Sequence, residues 1–170
     1  MTKRPLRAFA LAMLAPVGGE RLWDLGAGTG SISIEWCRLD EANTAIAVER
    51  DLARAARIAV NAERLGAAGR VEVVVADVAT ALPGLASPNA VFVGGGVSAG
   101  VLESSWRGLA AGGRLVAHSV TAESDAVLLG AYRRLGGELT RVGVEVAEPI
   151  GRFTGFKPYR SVCAWAARKA

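Results

Sequence analysis

The chain has 170 residues, a length that suits one domain in which about 68–70% of the surface of the unfolded chain becomes buried. Its formal net charge is +4 and 51% of its residues are hydrophobic, but Arg or Asp interrupts the long apolar runs, which excludes a membrane span. No basic and apolar leader opens the sequence, and Cys37, Cys163 and His118 lack the spacing of a zinc site or a disulfide framework. We therefore expect a cytoplasmic domain with two reduced thiols, no bound metal and no contact with a membrane.

Basic residues gather near the two ends of the chain. A positive excess favours anionic partners, although charges that keep exposed ends in water produce the same pattern. The basic candidates for binding an anionic substrate are Lys3, Arg4, Arg7, Arg152, Lys157 and Arg160.

The first three elements are predicted to be a helix, a strand and a second helix. Apolar residues recur at helical spacing from Leu6 to Leu14, and Pro16 with the glycine pair after it ends this helix. Residues 21–25 have the apolar character of a strand. Residues 31–39 alternate in a way that also fits a strand, but their position directly after a glycine turn favours a helix.

Strands and helices alternate along the middle of the chain. Residues 50–66 are a predicted helix closed by Gly66, and further helices are predicted near 100–110 and 123–135. The runs between them are almost continuously apolar, which is typical of parallel strands covered by helices. The apolar stripe of the 50–66 helix is predicted to consist of Leu52, Ala55, Ala56, Ala59, Val60 and Leu65, and the predicted strands cover 44–49, 71–77, 90–96 and 113–120.

The last part of the chain differs from the middle. Residues 138–148 and 159–167 are predicted strands, and the segment PIGRFTGFKP between them has no helical pattern. We expect the two strands to pair as an antiparallel hairpin at the edge of the sheet. No repeat, linker or low-complexity segment divides the chain, so one domain is expected over residues 1–170.

Three glycines separate the first strand from the second helix, in the stretch DLGAGTG. Because glycine has no Cβ, such a turn lets a nucleotide-like ligand approach backbone amides and a helix N-terminus. A dinucleotide site would place its third glycine later, and a phosphate loop would continue with Gly-Lys-Ser/Thr. Asp24, before the turn, would repel a pyrophosphate but can help to hold the ammonium group of S-adenosylmethionine. The turn residues expected to bind this cofactor are Gly26, Ala27, Gly28, Thr29 and Gly30.

Acidic residues also end the second and third predicted strands. Glu49 stands where a carboxylate can accept hydrogen bonds from both ribose hydroxyls, and Asp77 stands where the adenine amino group is expected. Each acid alone is equally well a helix cap. Together with the glycines, and in register with successive strand ends, they favour S-adenosylmethionine. Further residues expected at the cofactor are Arg50, Val78, Gly94 and Gly95.

This arrangement resembles the class I S-adenosylmethionine-dependent methyltransferases, over nearly the whole chain. The resemblance implies an α/β fold of the Rossmann-like, three-layer kind, with a seven-stranded and mostly parallel sheet that ends in an antiparallel hairpin; here an additional N-terminal helix precedes it. Enzymes that methylate amino groups of nucleic-acid bases are disfavoured, because Gly94, Gly95 and Gly96 stand where those enzymes carry Asn/Asp-Pro-Pro-aromatic. Neither Cys37 nor Cys163 is placed like the nucleophile of RNA pyrimidine C5 enzymes.

A narrower resemblance rests on the stretches MTKRPLRAFALAMLAP, LWDLGAGTGSISIEW, AVFVGGG and GGRLVAHSVTAES. They are similar to the precorrin methyltransferases that methylate C15 of the macrocycle and decarboxylate its C12 acetate in cobalamin biosynthesis. The resemblance implies a homotetramer and a partner domain, fused or separate, that methylates C5. His118 and Ser119 depart from the small polar pair expected at that strand end.

The resemblance gives the basic ends a role, because a precorrin carries many acetate and propionate groups that cations can bind. Gly96 and Ser98 join the basic residues as candidates for substrate binding, and His118 is a candidate for moving a proton, although a structural histidine fits the same pattern. Phe153, Phe156 and Tyr159 fit contact with the macrocycle, local packing or a subunit contact.

Two other functions stay open at this point. Another class I methyltransferase, acting on tRNA or on a different small molecule, would have the same cofactor site, and the basic ends also fit tRNA. A non-catalytic assembly domain would keep the fold and lose the cofactor. We favour the precorrin as partner and expect no nucleic acid.

Overall fold

The structure, a computed structural model, describes residues 3–170. Strands and helices alternate up to the sixth helix, as the apolar runs predict, and a short fourth helix with a 3₁₀ turn at Leu82–Gly84 adds to the predicted set. The helices are α1 (Arg4–Leu14), α2 (Ser31–Leu39), α3 (Leu52–Arg64), α4 (Val78–Ala81), α5 (Ala99–Gly108) and α6 (Ala122–Leu135). The strands are β1 (Arg21–Leu25), β2 (Thr44–Val48), β3 (Val71–Val74), β4 (Ala90–Val93), β5 (Arg114–Ser119), β6 (Glu138–Val142), β7 (Glu145–Ile150), β8 (Phe153–Pro158) and β9 (Val162–Arg168).

Seven strands form one sheet in the order β3-β2-β1-β4-β5-β9-β6. The first five strands along the chain pair in parallel, and β9 runs antiparallel to both of its neighbours. Helices α1 to α3 pack on one face through a core that includes Leu14, Trp36 and Phe92, while α4 to α6 pack on the other face. This is the class I methyltransferase fold, and the chain order reverses between β1 and β4, where ligands of open α/β sheets bind.

The predicted antiparallel pairing of the last two strands at the sheet edge is confirmed by β6 and β9, but the predicted bounds and connection are wrong. Strand β6 ends at Val142, and the segment after it forms a separate two-stranded sheet of β7 and β8, so the strand predicted over 138–148 is two strands. Ile150 pairs with Phe153 around a two-residue turn that begins with Gly151 at φ 58°. A glycine at the first central position is a hairpin signal, because the favoured two-residue turns need a positive φ there. The separate hairpin returns the chain so that β9 lies inside the sheet, between β5 and β6.

The apolar stripe predicted for the helix over residues 50–66 is also wrong. In α3 the buried residues are Ala55, Ile58 and Ala62, while Leu52 and Val60 are exposed. Ile58 packs against the glycine turn, since a Cβ added to Gly30 would lie 2.6 Å from its Cγ2 atom. The close approach of α3 to the glycine turn therefore decides which face of the helix is buried. The face with the most large aliphatic residues is not the buried one.

A hydrogen bond from Arg114 and an ion pair of Arg7 hold α1 against the domain. Arg114 on β5 makes a two-pronged pair with Glu20, at 2.5 and 2.6 Å, and its Nε donates to the carbonyl of Leu14 at 2.8 Å. Arg7 pairs with Glu35 of α2 at 2.7 Å. These contacts place the start of α1 beside the carboxyl end of the sheet, so the additional N-terminal helix contributes to the site described next.

Candidate functional site

The glycine turn is built for a close backbone approach. Gly26 and Gly30 have φ values of 72° and 76°, a region that L-residues rarely adopt. A Cβ on Gly26 would lie 2.8 Å from the backbone of Gly95, in the turn after β4. The amides of Gly26 and Ala27 donate to the carbonyl of Val48 on β2, at 2.9 and 3.0 Å. The ends of β1, β2 and β4 are therefore tied together around this turn.

A first cavity of about 480 Å³ opens over the glycine turn. Of the predicted cofactor-binding residues, all line this cavity except Asp24 and Gly30. Glu49 is 5% exposed, and its two oxygens accept hydrogen bonds from the amides of Gly28 at 2.8 Å and Asp51 at 3.0 Å. Asp77 caps α4 by accepting from the amide of Ala79 at 3.0 Å, so the cap and the predicted adenine contact are the same residue.

Asp24 lies behind the turn and not in the cavity. Its carboxylate is 1% exposed and accepts two hydrogen bonds from Ser33 of α2, from the amide at 3.1 Å and from the hydroxyl at 2.7 Å. Burial raises the pKa of Asp24 to about 6, against the effect of the Ser33 hydrogen bonds, and the nearby Glu49 carboxylate acts in the same direction as burial. Direct contact between Asp24 and a ligand in the first cavity stays a prediction.

Sequence reasoning missed several residues of the first cavity, among them Ser31 and Arg54. Arg50 lies just before α3 and Arg54 lies four residues later in its first turn, and both line the cavity. That spacing was the available signal. Ser31 follows directly on Gly30, at the start of α2, where a backbone amide has no acceptor within the helix and can bind a ligand.

A second cavity of about 520 Å³ adjoins the first, and both are lined by Gly94, Gly95 and Gly96. Its walls include apolar side chains such as Leu6 and Phe92, together with polar groups at the end of β5 and the start of α6. Two cations line it, Lys3 at the start of α1 and Arg160 just before β9. The Lys3 ammonium lies 5.3 Å from the centre of the Tyr159 ring, which lines the same cavity.

The structure brings together only part of the predicted substrate-binding set. Gly96 joins Lys3 and Arg160 in the second cavity, whereas Ser98 lines the first cavity and caps α5 by accepting from Val101 at 3.2 Å. The remaining basic candidates line neither cavity. They are Arg4, Arg7 with its partner Glu35, Arg152 at 5.1 Å from the Phe153 ring centre, and Lys157 at 3.4 Å from Glu148.

His118 lines the second cavity and is 7% exposed. Its ring packs edge-on against Phe92, at 5.1 Å between centroids, and tilted against Phe9, at 6.3 Å. Burial lowers the pKa of His118 to about 4, and its Nε2 atom has no hydrogen-bond partner. The imidazole is therefore uncharged at neutral pH, and its role in moving a proton stays a prediction.

Comparison with known proteins places this geometry in a family. A family model described as a precorrin methyltransferase domain matches residues 1–169. The chain belongs to the precorrin methyltransferase family. A relative from Mycobacterium tuberculosis, a decarboxylating precorrin-6Y C(5,15)-methyltransferase, is 46% identical over 99% of this chain and 43% of its own length. A probable cobalt-precorrin-6B C(15)-methyltransferase (decarboxylating) from Pyrobaculum aerophilum is 30% identical over 95% of this chain and 85% of its own length.

Solved precorrin methyltransferase structures have the same fold. The C-terminal domain of precorrin-6Y C5,15-methyltransferase from Rhodobacter capsulatus superposes with a TM-score of 0.94, at 40% identity, over 99% of this chain and 91% of that chain. The chain spans less than half the length of the relative from Mycobacterium tuberculosis.

Two further properties of the described residues bear on the site. Within residues 3–170, no group of three or more His, Cys, Asp or Glu side chains is placed to hold a metal ion. None of the helices in the same range combines the length and the apolar composition that crossing a bilayer requires.

Proposed function

We propose that the chain binds S-adenosylmethionine in the first cavity and methylates C15 of a precorrin held in the second cavity, with decarboxylation of the C12 acetate, in cobalamin biosynthesis. The observation that carries this proposal is the junction of the two cavities at the glycines after β4. A methyl donor and an acceptor must lie in line and in contact, and adjoining cavities permit this. The names of the relatives support the same reaction.

The residues of the first cavity fit S-adenosylmethionine. Its volume of about 480 Å³ lies within the range of small-molecule sites. Glu49 is held in place by two backbone amides and keeps lone pairs for ribose hydroxyls, and Asp77, which lines the same cavity, would bind the adenine amino group. The buried carboxylate of Asp24 adds negative potential behind the turn, which favours a cation over a phosphate. When bound, the cofactor supplies an electrophilic methyl group on a sulfonium.

The second cavity fits part of a polycarboxylated macrocycle. Apolar walls can cover the ring system, and Lys3 with Arg160 can pair with its carboxylates. Most predicted basic residues lie elsewhere, so the carboxylates that do not reach Lys3 or Arg160 need other partners. A homo-oligomer or a second domain would supply those partners.

In this mechanism the chain holds and orients the reactants. Positioning of donor and acceptor contributes on the order of 7 kcal/mol or more as effective molarity. The C12 acetate loses carbon dioxide when the electrons of its carbon–carbon bond pass into the conjugated ring, and a proton then adds to the remaining CH₂ carbon. Burial of that carboxylate away from cations and water favours its loss.

The direct test is incubation of the purified chain with isotope-labelled S-adenosylmethionine and the precorrin, followed by mass spectrometry. We expect a product that has gained one labelled methyl group and lost carbon dioxide. If the chain binds the cofactor, leaves the precorrin unchanged and methylates tRNA, the protein is a tRNA methyltransferase. Its affinity for tRNA would then fall steeply as the salt concentration rises. Absence of cofactor binding would indicate an assembly domain.

We also propose that the chain forms a homo-oligomer, the tetramer that the resemblance implies, with the β7–β8 hairpin as a subunit contact. The side chains of Ile150, Phe153 and Phe156 are 62%, 67% and 69% exposed, an apolar surface suited to a subunit contact. Sedimentation of wild type against a Phe153→Ser, Phe156→Ser double variant measures this. A wild-type monomer would contradict it. A fused or separate C5-methylating domain and a cytoplasmic location complete the proposal.

A further inference from the structure

A hydrogen-bonded chain of three side chains reaches from the protein surface to the wall of the second cavity. Arg141 on β6 donates to Asp125 in the first turn of α6, with 2.7 Å between Nη2 and Oδ2. The other oxygen of Asp125 accepts a hydrogen bond from the hydroxyl of Ser119, the last residue of β5. Ser119 is buried and lines the second cavity. Sequence reasoning offers Ser119 as a strand-end hydroxyl able to touch cofactor or substrate, and it gives Arg141 and Asp125 no role.

The direction of the hydrogen bond from Ser119 is set by charge. The hydrogen bond from Ser119, together with Arg141, holds the pKa of Asp125 below its usual value, so this carboxylate is ionised at neutral pH and can only accept. Cys163 is paired with both Ser119 and Arg141 across the sheet and also interacts with the Ser119 hydroxyl, but burial raises the pKa of its thiol, and a neutral sulfur is a weaker acceptor than the Asp125 carboxylate. The single hydroxyl proton of Ser119 is thus directed to Asp125.

A hydroxyl has one proton and two lone pairs. With its proton directed to Asp125, Ser119 can offer only lone pairs to a ligand in the second cavity. Such a hydroxyl accepts a hydrogen bond from an N–H group and cannot donate one to a carboxylate. Lys3 and Arg160, which line the same cavity, have the opposite character, because their side chains only donate. The cavity therefore has an acceptor at Ser119 and donors at Lys3 and Arg160.

We propose that Arg141 and Asp125 are positioning residues that fix Ser119 as a hydrogen-bond acceptor, and that Ser119 binds a ring N–H of a metal-free tetrapyrrole from the face of the macrocycle. This inference rests on the proposed function and names a contact that selects and orients the substrate. The carboxylates of the same ligand are directed to Lys3 and Arg160, because Asp125 and the lone pairs of Ser119 repel them.

Binding of the cobalt complex of the precorrin distinguishes loss of the Ser119 hydrogen bond from a general disturbance of the second cavity. Cobalt bound to the ring nitrogens removes their protons, so the complex has the carboxylates of the precorrin without the N–H donors. A hydrogen bond from a ring N–H to Ser119 makes wild type prefer the metal-free ligand. Loss of the bond should weaken binding of the metal-free precorrin and leave binding of its cobalt complex nearly unchanged.

The experiment compares the variants Ser119→Ala, Asp125→Asn, their combination and Arg141→Gln with wild type. Asparagine at 125 can donate its amide N–H to the Ser119 oxygen, which turns the hydroxyl proton into the cavity. Glu123→Gln is the matched control, because Glu123 is an exposed acid in the same helical turn. Affinities for S-adenosylmethionine, for the precorrin and for its cobalt complex are measured by calorimetry, and thermal unfolding by circular dichroism.

We expect Ser119→Ala and Asp125→Asn each to bind the metal-free precorrin about tenfold more weakly, with cofactor affinity unchanged. The combined variant should be no weaker than Ser119→Ala alone, since Asp125 acts through the hydroxyl. Arg141→Gln should show a smaller loss in the same direction, and it keeps the test valid if Asp125→Asn folds poorly. Glu123→Gln should resemble wild type.

Two results would overturn the inference, and they differ in what they say of the proposed function. If wild type binds the precorrin and the losses in the two single variants add, or affect the cobalt complex equally, the positioning role is wrong while the proposed function stands. If wild type binds S-adenosylmethionine but no precorrin, the proposed function fails and this inference fails with it.

Discussion

The carboxylate of Glu49 accepts a hydrogen bond from the backbone amide of Gly28 at 2.8 Å. Its other oxygen accepts from the amide of Asp51 at 3.0 Å, so the side chain bridges the end of β2 and the glycine turn. The acid is held in one position before any ligand arrives, and it still lines the first cavity. Such preorganisation reduces the entropy cost of binding a ribose.

Replacement of Glu49 by Gln should weaken binding of S-adenosylmethionine by about tenfold or more. The amide oxygen accepts weaker hydrogen bonds from hydroxyls than a carboxylate does, and it no longer attracts a cation. Calorimetric titration with the cofactor measures the change. Asp51→Asn is the control, because asparagine preserves the cap of α3 and Asp51 does not line the cavity. Equal affinities for wild type and Glu49→Gln would remove Glu49 from the cofactor site.

Replacement of Gly30 by Ala should destabilise the fold by about 2–4 kcal/mol. The residue has φ 76°, and an added Cβ would lie 2.6 Å from the Cγ2 atom of Ile58, which is fully buried in α3. Denaturant unfolding measures the loss. Gly84→Ala is the matched control, because a Cβ there meets no atom within 4 Å. A change below about 0.5 kcal/mol in Gly30→Ala would contradict the close packing of α3 on the turn.

Lys3→Gln and Arg160→Gln should each weaken binding of the precorrin, by about five- to twentyfold, without affecting the cofactor. Each variant removes one charge that faces the second cavity, and a charge-assisted hydrogen bond contributes about 1.5–3 kcal/mol before screening by salt reduces it. Lys157→Gln is the control, because that lysine pairs with Glu148 on the separate hairpin and does not line the cavity. A larger effect for Lys157 than for Lys3 would mean that the macrocycle binds along the hairpin.

Most of the fold could be predicted from the sequence because its signals are local. Apolar runs alternate with helical periodicity, and the Asp24-to-Gly30 stretch marks where the chain turns from the first strand into α2. The residues of the first cavity could be predicted for the same reason, since the carboxyl ends of adjacent parallel strands meet at one edge of the sheet. Glu49 and Asp77 then had to lie near the glycines.

The errors arise where the outcome depends on distant parts of the chain. Arg7 pairs with Glu35 because of helix packing, and Lys157 pairs with Glu148 because of strand register. The number and positions of charges in the sequence predict neither contact. The buried face of α3 is set by contact with Gly30, and Asp24 lies behind the turn because Ser33 satisfies it there. The Arg141–Asp125–Ser119 chain joins three separate elements, so no motif could indicate it.

Asp24 should make the folded state lose stability as the pH rises. Burial raises its pKa from 3.8 to about 6, so between these values the folded state keeps a proton that the unfolded state has lost. The cost grows across this window, to on the order of 3 kcal/mol, and is constant above it. In Asp24→Asn, which retains an acceptor for Ser33, this pH dependence should be absent. Chemical unfolding of both proteins between pH 4 and pH 8 tests this, and parallel curves would contradict it.

His118 should make the folded state lose stability as the pH falls. Burial lowers its pKa from 6.5 to about 4, so the stability that depends on the uncharged ring is complete above pH 6.5 and is lost as the pH falls toward 4. The sequence has one histidine, so its ring signals in an NMR titration are unambiguous, and we expect a midpoint below pH 5. In His118→Phe, which keeps an aromatic ring against Phe92, the loss of stability in this window should disappear. A midpoint near 6.5 would mean that the imidazole is solvated, and the second cavity would then contain a group able to exchange protons at neutral pH.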